Sequence, residues 1–393
     1  MKFLIPILIG FSFLFTGCKK DSISSKQSDS FEKFYGGKMN DMGMQVIATD
    51  DGGFVIMGNI ETASRGKDIC FIRTDAFGNS VAPVKLYGSS FDDYGYAMRK
   101  TNYGYVIAGS SELYSGAKKD ILLVQVDNQG NELKSSVFGT AGNDEAYDIQ
   151  VLENGNYILT GYSDSTKSGK KAMILAVANA DGNLLSLNMA GNPKDDEVGN
   201  SIIEYDSANF YTAGYTKSKT AAAKSSYYYI RWISVGSGLF KMIPFFDHAD
   251  ENSPAVSIIS DGDSDLIVSC NVQNSQENSS GIKLLKIDKG GNILWQKSFG
   301  EHTYDFVSST YIHNGKIYVI GTSGNADQFG NILLLELGSE GENPQYYYTG
   351  DGNSYMGKGL DFTKDNGFII TGSNKTNETS VITFIKLNSA HTL

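Results

Sequence analysis

Five carboxylates share one spacing. Asp41, Asp93, Asp144, Asp196 and Asp305 each stand five positions after a glycine that ends a short apolar or aromatic triplet, such as Phe34-Tyr35-Gly36, Leu86-Tyr87-Gly88 or Ser298-Phe299-Gly300. Asn252 and Tyr355 hold the equivalent places in two further units. Gathered at one rim, such carboxylates can coordinate Ca²⁺, which takes about six to eight oxygen ligands. A short acid in a loop also accepts hydrogen bonds from nearby backbone N–H groups. Because the feature recurs in nearly every unit, loop capping is the expected role, and these five are the places where a metal would sit if one is bound.

Other chemistry-bearing residues are sparse. Asp92-Asp93 and Asp195-Asp196 are paired carboxylates of the kind used in acid–base catalysis, yet they recur with the same period, which argues against one active site. His248, His302, His313 and His391 stand at no metal-ligand spacing, and no H-E-x-x-H, G-x-S-x-G elbow or phosphate loop is present. No catalytic residue and no cofactor is expected, and Cys70 and Cys270 are expected to be buried free thiols.

Lysines are concentrated in three successive loops: Lys118 and Lys119, then Lys167, Lys170 and Lys171, then Lys217, Lys219 and Lys224. On a chain of net charge −11 and pI near 4.9 they form a local positive patch. It suits an acidic partner or phosphate-bearing lipopolysaccharide, unless they are ordinary solubilising lysines. The acidic balance disfavours nucleic acid as a partner. Phe91, Tyr94, Tyr114, Tyr162, Tyr215, Phe329 and Tyr355 fall on the same side of the repeat, where aromatic faces can stack on sugars or a peptide.

The N-terminus carries its own chemistry. Lys2 precedes an apolar run from Phe3 to Phe15 that is too short to span a bilayer. Phe15-Thr16-Gly17-Cys18 resembles the bacterial lipobox, which implies removal of residues 1–17 and acylation of Cys18. Each buried CH₂ of the acyl chains then contributes roughly 0.8 kcal/mol. Residues 18–30 are polar and read as a flexible tether. Lys19-Lys20-Asp21 resembles the signal that sends lipoproteins of the Bacteroidota to the cell surface.

These residues hang on a repeat. The glycine-ended triplets recur about every 50–53 residues, and Gly58, Gly109, Gly161, Gly214, Gly321 and Gly372 each end a strand-like run. A third marker is a strand followed by an X-Gly-Asn turn, as in Phe77-Gly78-Asn79, Gln129-Gly130-Asn131 and Gly290-Gly291-Asn292. Four short strands per unit over seven units is the signature of an all-β, seven-bladed β-propeller over residues 31–393. Gly (44) and aromatic residues (12%) are frequent and Pro (6) is rare, which suits short strands and tight turns.

The chain ends after the third strand of its last unit, and Ser30–Tyr35 resembles the fourth strand Leu294–Phe299, so the N-terminal strand is expected to complete the last blade. Phe34-Tyr35-Gly36-Gly37, Asp51-Gly52-Gly53-Phe54, Lys119–Val124 and Gly291–Trp295 resemble the "YGG…DGGY…G…D-x-W-L-V-K-x-D-x-x-G-N" repeat of Bacteroidota lipoproteins and secreted propellers. The resemblance implies a lipid-anchored, surface-exposed outer-membrane protein. The expected function is a non-catalytic scaffold or recognition subunit beside an integral β-barrel serving assembly, secretion or import. The alternatives are a glycan- or peptide-binding protein for uptake and, third, a propeller hydrolase or lyase.

Overall fold

A computed structural model describes residues 30–37, 39–112, 118–206, 209–217, 226–234, 240–243, 254–262, 265–274, 279–376 and 378–393. Residues 1–17, Cys18, the tether up to residue 29, Tyr114, Lys219, Lys224 and His248 lie outside them. The described residues form twenty-eight strands and no helix.

β1 (Phe31–Tyr35) is followed by a meander of β2 (Met42–Ala48), β3 (Phe54–Thr62), β4 (Gly66–Thr74) and β5 (Lys85–Tyr87). Four more four-stranded antiparallel sheets follow in chain order. They are β6 (Asp93–Lys100), β7 (Gly104–Glu112), β8 (Lys119–Asp127) and β9 (Glu132–Phe138); β10 (Asp144–Val151), β11 (Tyr157–Ser163), β12 (Ala172–Ala178) and β13 (Leu184–Ala190); β14 (Asp196–Asp206), β15 (Asn209–Lys217), β16 (Ser226–Ser234) and β17 (Phe240–Ile243); and β18 (Ala255–Ser260), β19 (Leu266–Asn274), β20 (Ser279–Ile287) and β21 (Ile293–Phe299). The remaining strands, β22 (Asp305–His313), β23 (Lys316–Gly324), β24 (Gly330–Leu337), β25 (Gln345–Thr349), β26 (Tyr355–Phe362), β27 (Phe368–Thr376) and β28 (Thr379–Leu387), share one eight-stranded sheet with β1.

Local chemistry explains the repeat. In the turn after β4, Asp75 Oδ1 accepts the N–H groups of Phe77 (2.9 Å) and Asn79 (2.8 Å), while Gly78 takes φ 72°. The turns at Asp127 and Asp288 repeat the arrangement. The fourth strand of the first meander is shorter than its apolar pattern implies, Lys85–Tyr87 instead of Ser80–Tyr87, because Pro83 has no N–H to add to the ladder.

Each innermost strand carries a β-bulge against its second strand, for example between Gly95 and Ala97 and between Gly357 and Gly359. The strand-ending glycines exist for that bulge. A Cβ on Gly109 would fall on the carbonyl oxygen of Tyr94, and one on Gly372 on that of Met356.

The faces of successive sheets pack on one another. Met57, Ile69 and Phe71 meet Met98, Ile107 and Val124, all fully buried, and each such side chain contributes roughly 1.5–3 kcal/mol. The stack is circular: Val46, Ile56 and Ile72 share a core with Ile369, Ile382 and Phe384 from the last strands. β1 pairs with β28 in register from Phe31↔Lys386 to Tyr35↔Ile382, so the N-terminal strand covers the C-terminal edge. Cys70 and Cys270 are free and buried in separate sheets.

Candidate functional site

The repeated aspartates are built into their own loops. Asp41, Asp93, Asp144 and Asp305 are fully buried. Asp41 accepts the N–H groups of Gly37 (2.6 Å) and Glu61 (2.9 Å), Asp93 that of Ser89 (2.5 Å), Asp144 that of Thr140 (2.6 Å), and Asp305 those of Glu301 (2.8 Å) and His302 (3.0 Å). Gly88 shows why the glycine sits five residues earlier: at φ 135° its Cα lies against the Asp93 carboxylate, where a Cβ would collide. Asp196 instead accepts the N–H of Lys171 (3.0 Å) and faces Lys170 Nζ (3.4 Å). The five are not brought together, and among the described residues no group of three or more His, Cys, Asp or Glu side chains is placed to hold one ion.

The lysine loops are partly engaged. Lys118 Nζ donates to the Ala141 carbonyl, Lys119 Nζ lies 3.5 Å from Glu145 and 4.4 Å over the Tyr94 ring, and Lys171 Nζ lies 3.6 Å over the Tyr162 ring. Lys167 and Lys217 are exposed.

Beneath these lysines Glu145, only 6% exposed, accepts the hydroxyls of Tyr96 (2.6 Å) and Tyr162 (2.8 Å). Tyr94 stacks on Tyr96, and Tyr96 meets Tyr147 edge-on with centroids 4.9 Å apart. Burial, reinforced by the Glu145 carboxylate, pushes the Tyr96 and Tyr162 hydroxyls far above their ordinary range. They are therefore held as neutral hydrogen-bond donors. Elsewhere His302 Nδ1 lies 3.0 Å from Ser323 Oγ, His313 stacks on Phe362, and His391 stacks on Tyr347 with Nε2 3.0 Å from Glu336.

Tyr96 and Tyr147 lead to the centre. A cavity of about 410 Å³ is lined by β2, β6, β10, β14, β18, β22 and β26. The bulged residues of all of these strands face it: Met44, Tyr96, Tyr147, Asn200, Val256, Ser308 and Lys358. Side chains just past the bulges stitch most of the inner strands to the next. Gln45 accepts Met98 N–H (2.8 Å), Asp148 accepts Ile202 N–H (2.9 Å) and Ser201 accepts Ile258 N–H (3.3 Å). Tyr311 accepts Leu360 N–H (3.2 Å), and Asp361 returns to the start by accepting Ala48 N–H (2.8 Å). Arg99 closes on Asp148 at 2.5 Å. The wall is thus rigid, and it offers tyrosine faces, amides and hydroxyls to whatever enters. A bulge breaks the alternation that marks inward residues in a strand, so the lining could be found only by first placing the bulge from the strand-ending glycine.

No family model matches the chain, and no curated protein matches it. Solved structures do. The polysaccharide lyase Uly1 aligns with a TM-score of 0.56 at 9% identity, over 90% of this chain and 91% of that one. A protein of unknown function from Dyadobacter fermentans aligns at 0.52 and 11% identity, over 90% and 97%. The β-propeller domain of the Trilobed protease from Pyrococcus furiosus, which has an open velcro topology, aligns at 0.51 and 12% identity, over 91% and 94%. At these identities the likeness is one of fold, and it makes this chain an all-β, propeller-like protein, with its own β1 paired to β28.

Proposed function

We propose that this chain is a non-catalytic recognition subunit of an outer-membrane complex, taking a polar, hydroxyl-rich ligand such as the end of a glycan into its central cavity. In this reading it is a seven-bladed propeller: β24 and β26 share a single ladder pair, Gly330↔Tyr355, so the eight-stranded sheet divides into two blades. Acylated Cys18 holds it at the outer membrane, exposed at the cell surface, beside an integral β-barrel that serves import.

One observation carries the ligand: a rigid cavity at the centre of the ring whose walls present Tyr96, Tyr147, Gln150, Asn200 and Ser308. Such a concave, mixed aromatic and polar site is the usual form of a small-ligand pocket. The non-catalytic reading is supported by burial holding the hydroxyls of Tyr96 and Tyr147 neutral and by Glu145 and Asp148 being engaged by neighbours.

Full-length protein in detergent, titrated with a panel of oligosaccharides, tests the reading. Binding is expected, with Tyr147→Ala weakening it about tenfold or more. Failure to bind any sugar, or turnover of a bound one, would overturn it. Purification from detergent-solubilised outer membrane is expected to retain a barrel partner in stoichiometric amount, and recovery of the chain alone removes that part.

A further inference from the structure

We propose that the ligand of the central cavity is an anion, a carboxylate-bearing sugar unit, and that the Lys358 ammonium is its counter-ion. This rests on the reading of the cavity as a binding site.

Among the cavity-lining residues only Arg99, Asp148 and Lys358 carry formal charge. Arg99 and Asp148 satisfy each other at 2.5 Å, and the second oxygen of Asp148 is filled by Ser201 Oγ (3.0 Å) and Ile202 N–H (2.9 Å). That leaves one net positive charge, on Lys358. Among the described residues this ammonium has neither an ion pair nor a hydrogen bond, and it lines the central cavity. Asp361, the one carboxylate on its strand, is held by the N–H groups of Ala48 and Phe362, both 2.8 Å away. An unpaired cation in such a place is destabilising, and burial accordingly pulls the Lys358 pKa below its ordinary value.

Nothing in the fold demands a lysine there. The same bulge position holds Met44, Tyr96, Tyr147, Asn200, Val256 and Ser308 in the other sheets, so a neutral residue would complete the ring equally well. A missing anionic partner accounts for it. One ammonium matches the single charge of a carboxylate. A phosphate is better served by the guanidinium fork, and that of Arg99 is already engaged by Asp148, Gln45 and the Met98 carbonyl. The tyrosine faces and amides elsewhere on the cavity wall suit a pyranose ring, and the volume admits one or two sugar units.

Isothermal titration of the full-length protein with glucuronate, galacturonate, their neutral parents glucose and galactose, and inorganic phosphate tests this. At least one uronate is expected to bind about tenfold or more tighter than its neutral parent. Lys358→Met should abolish that preference and Lys358→Arg should keep part of it. Lys358→Met should also melt no lower than the parent, because it removes a half-buried charge that has no partner among the described residues. Equal affinity for acid and parent sugar, or a preference that survives in Lys358→Met, overturns the proposal and leaves the cavity a sugar site. Phosphate binding as tightly as the uronates overturns the carboxylate assignment. Absence of binding by every compound removes both the proposal and the reading beneath it.

Discussion

Asp68 is fully buried, and its nearest cation is the Arg65 guanidinium, 2.9 Å away. Burial pushes its pKa up to about 6; Arg65 opposes the shift and Asp93 adds to it. The folded-state pKa is therefore raised. The stability it contributes is present below the ordinary value near 4 and is lost as pH rises through about 6. Asp68→Asn should be more stable than the parent at pH 8 by about 1–3 kcal/mol and indistinguishable at pH 4. Urea melts at the two pH values check this; an equal effect at both would show that the charge is not responsible. Tyr94, Tyr211 and Tyr355 are pushed up by burial to about 12. Their contribution is complete below pH 10 and lost between 10 and 12, so phenolate absorbance from these residues should rise together with alkaline unfolding. The spacing of the repeated aspartates was legible in the sequence because each unit restates it. Lys358 was not, since a single cation in one unit of a repeat has no pattern to announce it.

At the scale of elements, β1 is five residues long yet covers the edge of β28. Its Phe31 ring packs on Phe384 with centroids 5.2 Å apart and on Phe54 at 6.4 Å, and the Tyr35 hydroxyl donates to the Gly78 carbonyl. Phe31→Ala should destabilise the chain by about 2–4 kcal/mol, measured by chemical denaturation. Deleting residues 31–35 should expose β28 and produce concentration-dependent association in sedimentation velocity. A monomeric deletion variant of unchanged stability would contradict the closing role. This pairing could be anticipated because Ser30–Tyr35 reads as a fourth strand and the last unit lacks one. Strand boundaries were less legible. β3 runs on to Thr62, past the Gly58 that closes its apolar run, because the residues beyond the glycine still pair across to β4, down to Thr62↔Gly66.

For the molecule as a whole, a closed stack of sheets with shared cores should open as one unit. Cys70 and Cys270 report on this from separate sheets. Both are inaccessible, and burial raises both thiols far above their ordinary range. In a chain lacking Cys18 both should resist a thiol reagent in the native state and react together, at one rate, as denaturant rises. Markedly different rates would mean that the ring opens blade by blade. The architecture was legible because backbone chemistry repeats around it. The cavity was not, because its walls combine one or two residues from each of seven strands that are far apart in sequence.

The pairing of Phe31 with Lys386 also fixes an order in time. Among the described strands β1 is synthesised before the others, yet it is the last to find its neighbour, since β28 follows them all. Until β28 emerges, β1 has no strand to pair with and the last sheet lacks its outermost strand. A chain cut short anywhere before β28 therefore leaves β1 without its partner. Only a chain that includes β28 can pair it.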